Sequence, residues 1–309
     1  MNFIPPVEFD INIYRNKNQH LQNMTDNELI NHYNMYGSYE GLCASEISNR
    51  YDFINLISQD KDILEIGPLA FPCMNINLPN IKTIDYFSQD ELKENYKNDP
   101  NVNIDKIGKV SYIIKDNVKY LDIINERFDF VFSSHNIEHV PCFITFLNNI
   151  SSVLKSNSYF CLCIPDYRYC FDHYRNPTTI FDILDSYYNK RNKPSPINIL
   201  ESRYLVCENN SVLHWNTLEK SYNNIFITLK EHDDFNSKIK NNIIDNIDNI
   251  KKIYQNDTYI DSHVWKFTPL IFKTIIEILQ ATKYIDFSIL RLYKTLKNSC
   301  EFYVILQKN

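Results

Sequence analysis

Short β-rich runs recur from residue 62 onward, separated by polar or helix-period stretches. They are DILEI at 62–66, IKTID at 81–85, VSYII at 110–114, FDFVFSS at 128–134 and SYFCLCI at 158–164. That order predicts parallel strands joined by crossovers. Between the fourth and fifth runs, Phe143, Phe146, Leu147, Ile150 and Leu154 form an apolar stripe at helical spacing. Pro141 stands at its first turn, where a missing amide is tolerated. Thr268 and Pro269 supply an N-cap and first-turn pair for a second helix over 269–281. Two closing runs, YIDFSIL at 284–290 and EFYVILQ at 301–307, can pair as a hairpin at a sheet edge. The predicted class is α/β, a doubly wound, Rossmann-like sheet of seven strands.

Two regions stand outside this alternation. Residues 1–45 read as a small helical N-terminal module. Thr25 and Glu28 form a capping-box pair, Leu29, Tyr33 and Tyr36 recur at helical spacing, and Gly37 can end the helix. The piece is too short to bury a core alone, so it must dock on the rest of the chain or on a partner. A helix over 46–59, with Ile47, Tyr51, Ile54 and Ile57 on one face, then opens the main domain, residues 46–309. From 171 to 262 the strand pattern is lost, which marks an insertion after strand five. Within it Ile239, Ile243, Ile247, Ile250 and Tyr254 fall on one helical face of a low-complexity stretch. An amphipathic helix and disorder are the rival readings there.

Composition narrows the function classes. The net charge of −6 argues against a general nucleic-acid groove. The eight cysteines include no C-x-x-C pair, and Cys161 and Cys163 alternate on one strand face as core residues do. No leader pattern opens the chain and no apolar run approaches membrane-spanning length. A reduced, cytoplasmic protein without a structural zinc is expected.

In open α/β sheets ligands bind beyond the carboxyl ends of the strands. That rule gathers Glu65 to Phe71, Asp85, Asp116, Ser134 to His139 and Ile164 to Tyr169 on one rim. The first turn, GPLAFP, holds a single glycine, Gly67, and Glu65 stands two residues before it. A pyrophosphate would need more glycine and no carboxylate. A ligand with positive charge at that end would suit the turn. Asp85 can bond a ribose diol or cap a helix. Asp116 can face an adenine amino group or stand as a solvated turn residue.

The stretches DILEIGPL, TIDYFSQDELKENY and FDFVFSSHNIEHVP resemble class I S-adenosylmethionine-dependent methyltransferases. The resemblance continues through IPDYRYCFDHYRNPTT and SHVWKFTP to EFYVIL, and is nearest to methyltransferases encoded beside glycan and capsule enzymes. The N-terminal FDINIY and HYNMYGSYEGL are similar to a small module of bacterial glycosyltransferases. The likeness implies a cofactor site at Glu65, Gly67, Pro68, Asp85, Tyr86, Asp116, Ser134 and His135. S-adenosylmethionine has no phosphate, and its ammonium and sulfonium suit an acidic strand end. Two departures stand out. The glycine-rich first loop is reduced to Gly67-Pro68-Leu69-Ala70, and the turn before strand five is KSNS, where Asn157 can supply a left-handed residue.

Methyl transfer from a sulfonium needs an aligned nucleophile and a base for its proton. Candidate bases are His135, His139, His173 and His263. His135, Glu138 and His139 admit three readings: helix-end packing for Glu138 and His139, a general base, or a divalent-metal site for Mg2+. No metal is the expectation, with that trio as the exception. Asp166, Tyr167, Arg168, Tyr169, Asp172, Arg175 and Trp265 are the substrate-binding candidates, since aromatics stack on sugars and arginines grip phosphate or carboxylate. A folded connector with internal ion pairs is their alternative. His263 can equally be satisfied inside a buried strand.

The function expected is O-methylation of a sugar hydroxyl, on a nucleotide sugar or a surface glycan, with 171–262 as acceptor wall. A nucleotide-sugar oxidoreductase or epimerase, or a non-catalytic subunit of a glycan-synthesis complex, are the alternatives. A homo-oligomer is compatible with all three.

Overall fold

The computed structural model describes residues 3–115, 118–216, 243–255 and 259–309, with 233, 236–237 and 240–241 between them. Asp116 and Ile239, both singled out above, lie outside the described residues. Seven strands among them form one sheet: β1 (Ile63–Ile66), β2 (Ile81–Asp85), β3 (Tyr112–Ile113), β4 (Phe128–Ser134), β5 (Leu154–Pro165), β6 (Phe287–Tyr293) and β7 (Glu301–Lys308). Their order across the sheet is β3-β2-β1-β4-β5-β7-β6. The first five pair in parallel, and β7 runs antiparallel between β5 and β6. The closing hairpin therefore forms as expected, with β6 on the edge. β3 contracts to two residues because it is the opposite edge and pairs only with β2. β5 starts earlier than the apolar run, and Asn157 within it takes the left-handed conformation at φ 59°.

Alternation along the strands builds two apolar layers. Leu64, Ile84, Val131, Phe160, Leu162, Phe302 and Val304 face one side. There they meet α5 (Phe143–Val153) and α9 (Pro269–Ala281) through Phe143, Leu147, Ile150, Phe272 and Ile276. Ile63, Phe130, Phe132, Cys161, Cys163 and Ile305 face the other side, against Ile47, Phe53 and Ile57. The helix expected over 46–59 shortens to α3 (Arg50–Ile54), capped by the Asn49 side chain on the Asp52 amide.

The N-terminal module holds α1 (Ile11–Lys17) and α2 (Asp26–His32), and the Thr25–Glu28 capping box forms. Tyr14, Leu21, Leu29 and Ala44 give it a small core of its own. Residues 3–8 run as a strap onto the main sheet. Phe3 packs on Phe130 and Tyr159. The Pro6 carbonyl accepts from the Tyr293 hydroxyl at 2.7 Å, and the Glu8 carboxylate accepts the Leu292 amide at 3.1 Å. α4 (Gln89–Tyr96) follows β2. In the insertion, α6 (Ile180–Tyr188), α7 (Pro196–Tyr204) and α8 (Ile247–Gln255) are described, and α8 carries Ile247, Ile250 and Tyr254 of the predicted stripe. No described helix is long and apolar enough to cross a membrane.

Candidate active site

The rim at the carboxyl ends of β1, β2, β4 and β5 collects most of the predicted residues. Gly67 leaves β1 at φ 56°, a conformation that favours glycine, and a Cβ there would stand 3.0 Å from the Asn136 amide nitrogen. So the turns after β1 and β4 touch at Gly67. Pro68 continues the turn, its carbonyl accepting the Phe71 amide at 2.9 Å. Glu65 was expected to face the ligand. It is instead only 2% exposed, and its carboxylate accepts the Cys73 amide at 2.7 Å and the Met74 amide at 3.1 Å. Those bonds fold residues 67–74 back over the strand end. Burial pushes its pKa up to about 7, against the pull of the two amides.

Asp85 ends β2 half-buried, with the Phe87 amide on its carboxylate at 3.2 Å. Burial raises its pKa. Tyr86 beside it is exposed and lines an open cavity of about 470 Å³ with Ile114, Val118, Val140 and Phe146. Ser134 closes β4, half-buried.

Beyond β4 the chain carries charge in a different arrangement. His135 sits in the left-handed region at φ 48°, its amide donating to the Cys163 carbonyl at 3.0 Å. Its Nε2 lies 2.8 Å from the Glu301 carboxylate, at the start of β7. Arg50 and the Tyr303 hydroxyl also donate to Glu301. Burial alone would raise the Glu301 pKa, yet these hydrogen bonds bring it down to about 2. The His135 side chain stays 34% exposed, and its Nδ1 is 3.8 Å from Glu138.

Glu138 is fully buried, and neither carboxylate oxygen accepts a hydrogen bond. Its backbone carbonyl takes the amides of Val264 at 2.6 Å and Trp265 at 3.1 Å. The Trp265 indole donates to the Val140 carbonyl at 2.7 Å. These bonds staple NIEHVP to SHVW and bring His263 beside Glu138, with Nε2 at 3.9 Å. His263 Nδ1 bonds Asp172 at 2.5 Å, and His139 Nδ1 bonds Asp261 at 3.1 Å. The two rings cross at 85° with centroids 4.6 Å apart. Burial would lower the His139 pKa, but the Asp261 bond and nearby carboxylates raise it. Burial would raise that of Asp172, and His263 and Arg175 lower it.

The IPDYRYCFDHYR segment folds mainly on itself. Asp166 is buried and pairs with Arg168 and the Thr295 hydroxyl. Tyr169 is buried and stacks on Trp215 at 3.9 Å. Arg175 is buried between Asp172, Glu201 and the His263 carbonyl. Asp166, Asp172 and Arg175 have their charged groups paired internally, while Trp265, its indole bonded to Val140, borders a cavity of about 480 Å³ with Asn198 and Lys266. The internal ion-pair arrangement is what forms here, and Asp172 acts on His263. Tyr167 and Arg168 stay partly open. His173 Nδ1 lies against the Arg168 carbonyl at 2.5 Å and its ring stacks on His214, while burial lowers its pKa. It is not among the residues whose ligand atoms gather around Glu138. The trio suggested for a metal changes as well, with His263 in place of His135.

Residues 80–162, from β2 through most of β5, match a family model described as a methyltransferase domain. Over that stretch, a little more than a quarter of the chain, the sequence matches a methyltransferase domain, and the seven-stranded sheet has the fold such a domain takes. Solved structures similar to it include an S-adenosylmethionine-dependent methyltransferase from Clostridium acetobutylicum, at 10% identity and TM-score 0.38, covering 92% of this chain and 98% of that one. An S-adenosylmethionine-dependent methyltransferase from Methanosarcina mazei has 15% identity and TM-score 0.36, over 82% and 95% of the two chains. The N-methyltransferase NodS from Bradyrhizobium japonicum has 9% identity and TM-score 0.36, over 85% and 90%. No curated protein matches the sequence.

Arg50, Asp261 and Glu301 join the site without having been picked out from the sequence, whereas Asn136 fell within the expected rim but was given no role. Nothing near the first three in the chain marks them, since their partners are remote in sequence.

Proposed function

We propose that the domain transfers a methyl group to a hydroxyl of a sugar, carried on a nucleotide or a surface glycan. The observation that carries this reading is the set of histidines beyond β4 and in the 263 segment, each with one ring nitrogen on a carboxylate. A hydroxyl is a poor nucleophile until its proton leaves, so it needs such a base, whereas a free amine does not. His135 is the base in this reading. Glu301 holds Nε2 as the protonated nitrogen and leaves the Nδ1 lone pair to take the proton, as orienting carboxylates do. The acceptor oxygen then forms its bond to the methyl carbon as the carbon–sulfur bond breaks, and the sulfonium leaves as a neutral thioether.

Adenosine would lie along Asp85 and Tyr86, with its base in the 470 Å³ cavity. A second cavity of about 480 Å³ between the insertion and the 264–266 segment, lined by Asp182, Asp185, Arg191, Asn198 and Lys266, offers groups for the hydroxyls of the acceptor remote from the reacting one. The likeness of the N-terminal module to a glycosyltransferase module also points to glycans, and a nucleotide-sugar acceptor places the reaction in the cytoplasm.

The test is a calorimetric titration with S-adenosylhomocysteine, followed by labelled methyl transfer to a panel of nucleotide sugars. Binding is expected, weakened by about 1–3 kcal/mol in Asp85→Ala. His135→Ala should lower turnover roughly a hundredfold while the cofactor still binds. No binding to the wild type rejects the cofactor site. Normal turnover in His135→Ala rejects the base.

A further inference from the structure

Glu138 presents a problem in physical chemistry. A buried carboxylate without hydrogen bonds is costly, and native proteins rarely keep one without a use. Here both oxygens are unpartnered, while the surrounding imidazoles are turned with care. His139 and His263 each bond a carboxylate through Nδ1, with Asp261 and Asp172 respectively. That fixes the protonated nitrogen and leaves Nε2 with its lone pair. The ligand atoms of Glu138, His139 and His263 all lie within 4.8 Å of one another. Metal bonds of about 2.0–2.2 Å would put such atoms roughly 3–3.5 Å apart, so small side-chain rotations close the gap.

We propose that Glu138, His139 and His263 bind a divalent first-row transition-metal ion. Two imidazoles and one carboxylate suit zinc, iron(II), cobalt(II) or manganese(II), and magnesium prefers an all-oxygen shell. Asp172 and Asp261 are the outer partners that orient the two histidines, and the buried Arg175 fixes Asp172 in turn. His139 and Asp261 are the more exposed side, through which an ion can enter. The backbone bonds from Val264 and Trp265 to Glu138 keep the two ligand-bearing segments in register. The site stands on this geometry and not on the methyl-transfer reading. If that reading holds, an acceptor hydroxyl bound to the ion would lose its proton more easily.

The test uses tag-free, full-length protein treated with chelator and then titrated with Co2+. One equivalent should bind, with the visible absorption of a coordinated cobalt ion and a rise in melting temperature. Glu138→Gln and His263→Ala should each weaken binding at least tenfold, whereas His20→Ala in the N-terminal module should not change it. Circular dichroism checks that the variants fold, and Glu138→Gln keeps the shape of the side chain. His139→Ala serves as a second reading should either variant fail to fold. Absence of stoichiometric cobalt binding overturns the proposal, as does full affinity in the folded variants or binding of magnesium alone. Because the readout is binding, its failure is separate from failure of methyl transfer.

Discussion

Two buried glutamates stand at the ends of neighbouring strands, and they differ in what they touch. Glu65, on β1, gives its oxygens to the amides of Cys73 and Met74. Glu138, just past β4, has no hydrogen bond to either oxygen. Burial alone does not separate them, since both are almost fully covered. The partner list does. A carboxylate satisfied by its own backbone shapes a loop, and one left open among oriented imidazoles is reserved for something that binds. The first half of the rim is thus built by the main chain. The second half is built by side chains brought from three distant segments.

Substituting the two glutamates should break this symmetry most visibly. Glu138→Gln should lower turnover by roughly a hundredfold, the scale of losing an ordered ligand or its support. It should leave unfolding stability unchanged or raised in metal-free protein, because it replaces a buried carboxylate that accepts no hydrogen bond. Glu65→Ala should do the reverse. Two amides lose their acceptor, at a cost of about 1–3 kcal/mol, and turnover at saturating cofactor should fall far less. Denaturant unfolding beside steady-state kinetics reads both. Equal effects of the two substitutions would remove the distinction.

How far this was readable beforehand follows from chain distance. The strand runs, the closing hairpin, the Thr25–Glu28 cap and the left-handed Asn157 all express short-range pattern, and the structure contains them. The three motifs NIEHVP, YCFDHYR and SHVW were visible as chemistry too. Their placement on one rim was expected, but the side-chain pairs they form were not. His135 meets Glu301 across 166 residues, His139 meets Asp261 across 122 and His263 meets Asp172 across 91. No local period encodes such pairs. The same limit explains Asp166, Tyr169 and Arg175: a polar, aromatic segment leaving a strand reads as a binding surface until its partners elsewhere in the chain are known. Glu65 misleads for a related reason. The amides that satisfy it belong to a turn whose path depends on Gly67.

The second prediction sharpens the comparison through pH. Glu65 has its folded pKa raised to about 7 from 4.5, so the native state holds a proton that the unfolded chain has released. Its stability contribution is full below about pH 4.5 and declines as pH rises through about 7. Glu301 is shifted the opposite way, down to about 2. Its contribution is present above about pH 4.5 and is lost as pH falls toward 2. From these two groups the native state is most favoured near the ordinary carboxylate value. Unfolding curves between pH 4 and 8 should therefore show a decline in the wild type that Glu65→Gln lacks. A decline of the same slope in that variant would assign it to other groups.

The smallest effect is expected at the N-terminus. Residues 9–44 have a core of their own, and none of them enters the rim. Residues 3–8 differ, because Phe3 covers Phe130 and Tyr159 on one face of the sheet. Those two rings lie on β4 and β5, whose far ends carry His135 and Asp166. Truncation of 1–45 should therefore lower the melting temperature by exposing that face, and Phe3→Ala should reproduce part of the loss, about 1–3 kcal/mol for a partly buried aromatic. Affinity for S-adenosylhomocysteine should stay nearly unchanged in both, since the strand ends proposed to bind it keep their own hydrogen bonds. Calorimetry on the truncated protein decides the matter. A large loss of affinity with the fold retained would mean that the strap, rather than the sheet alone, sets the geometry of the rim.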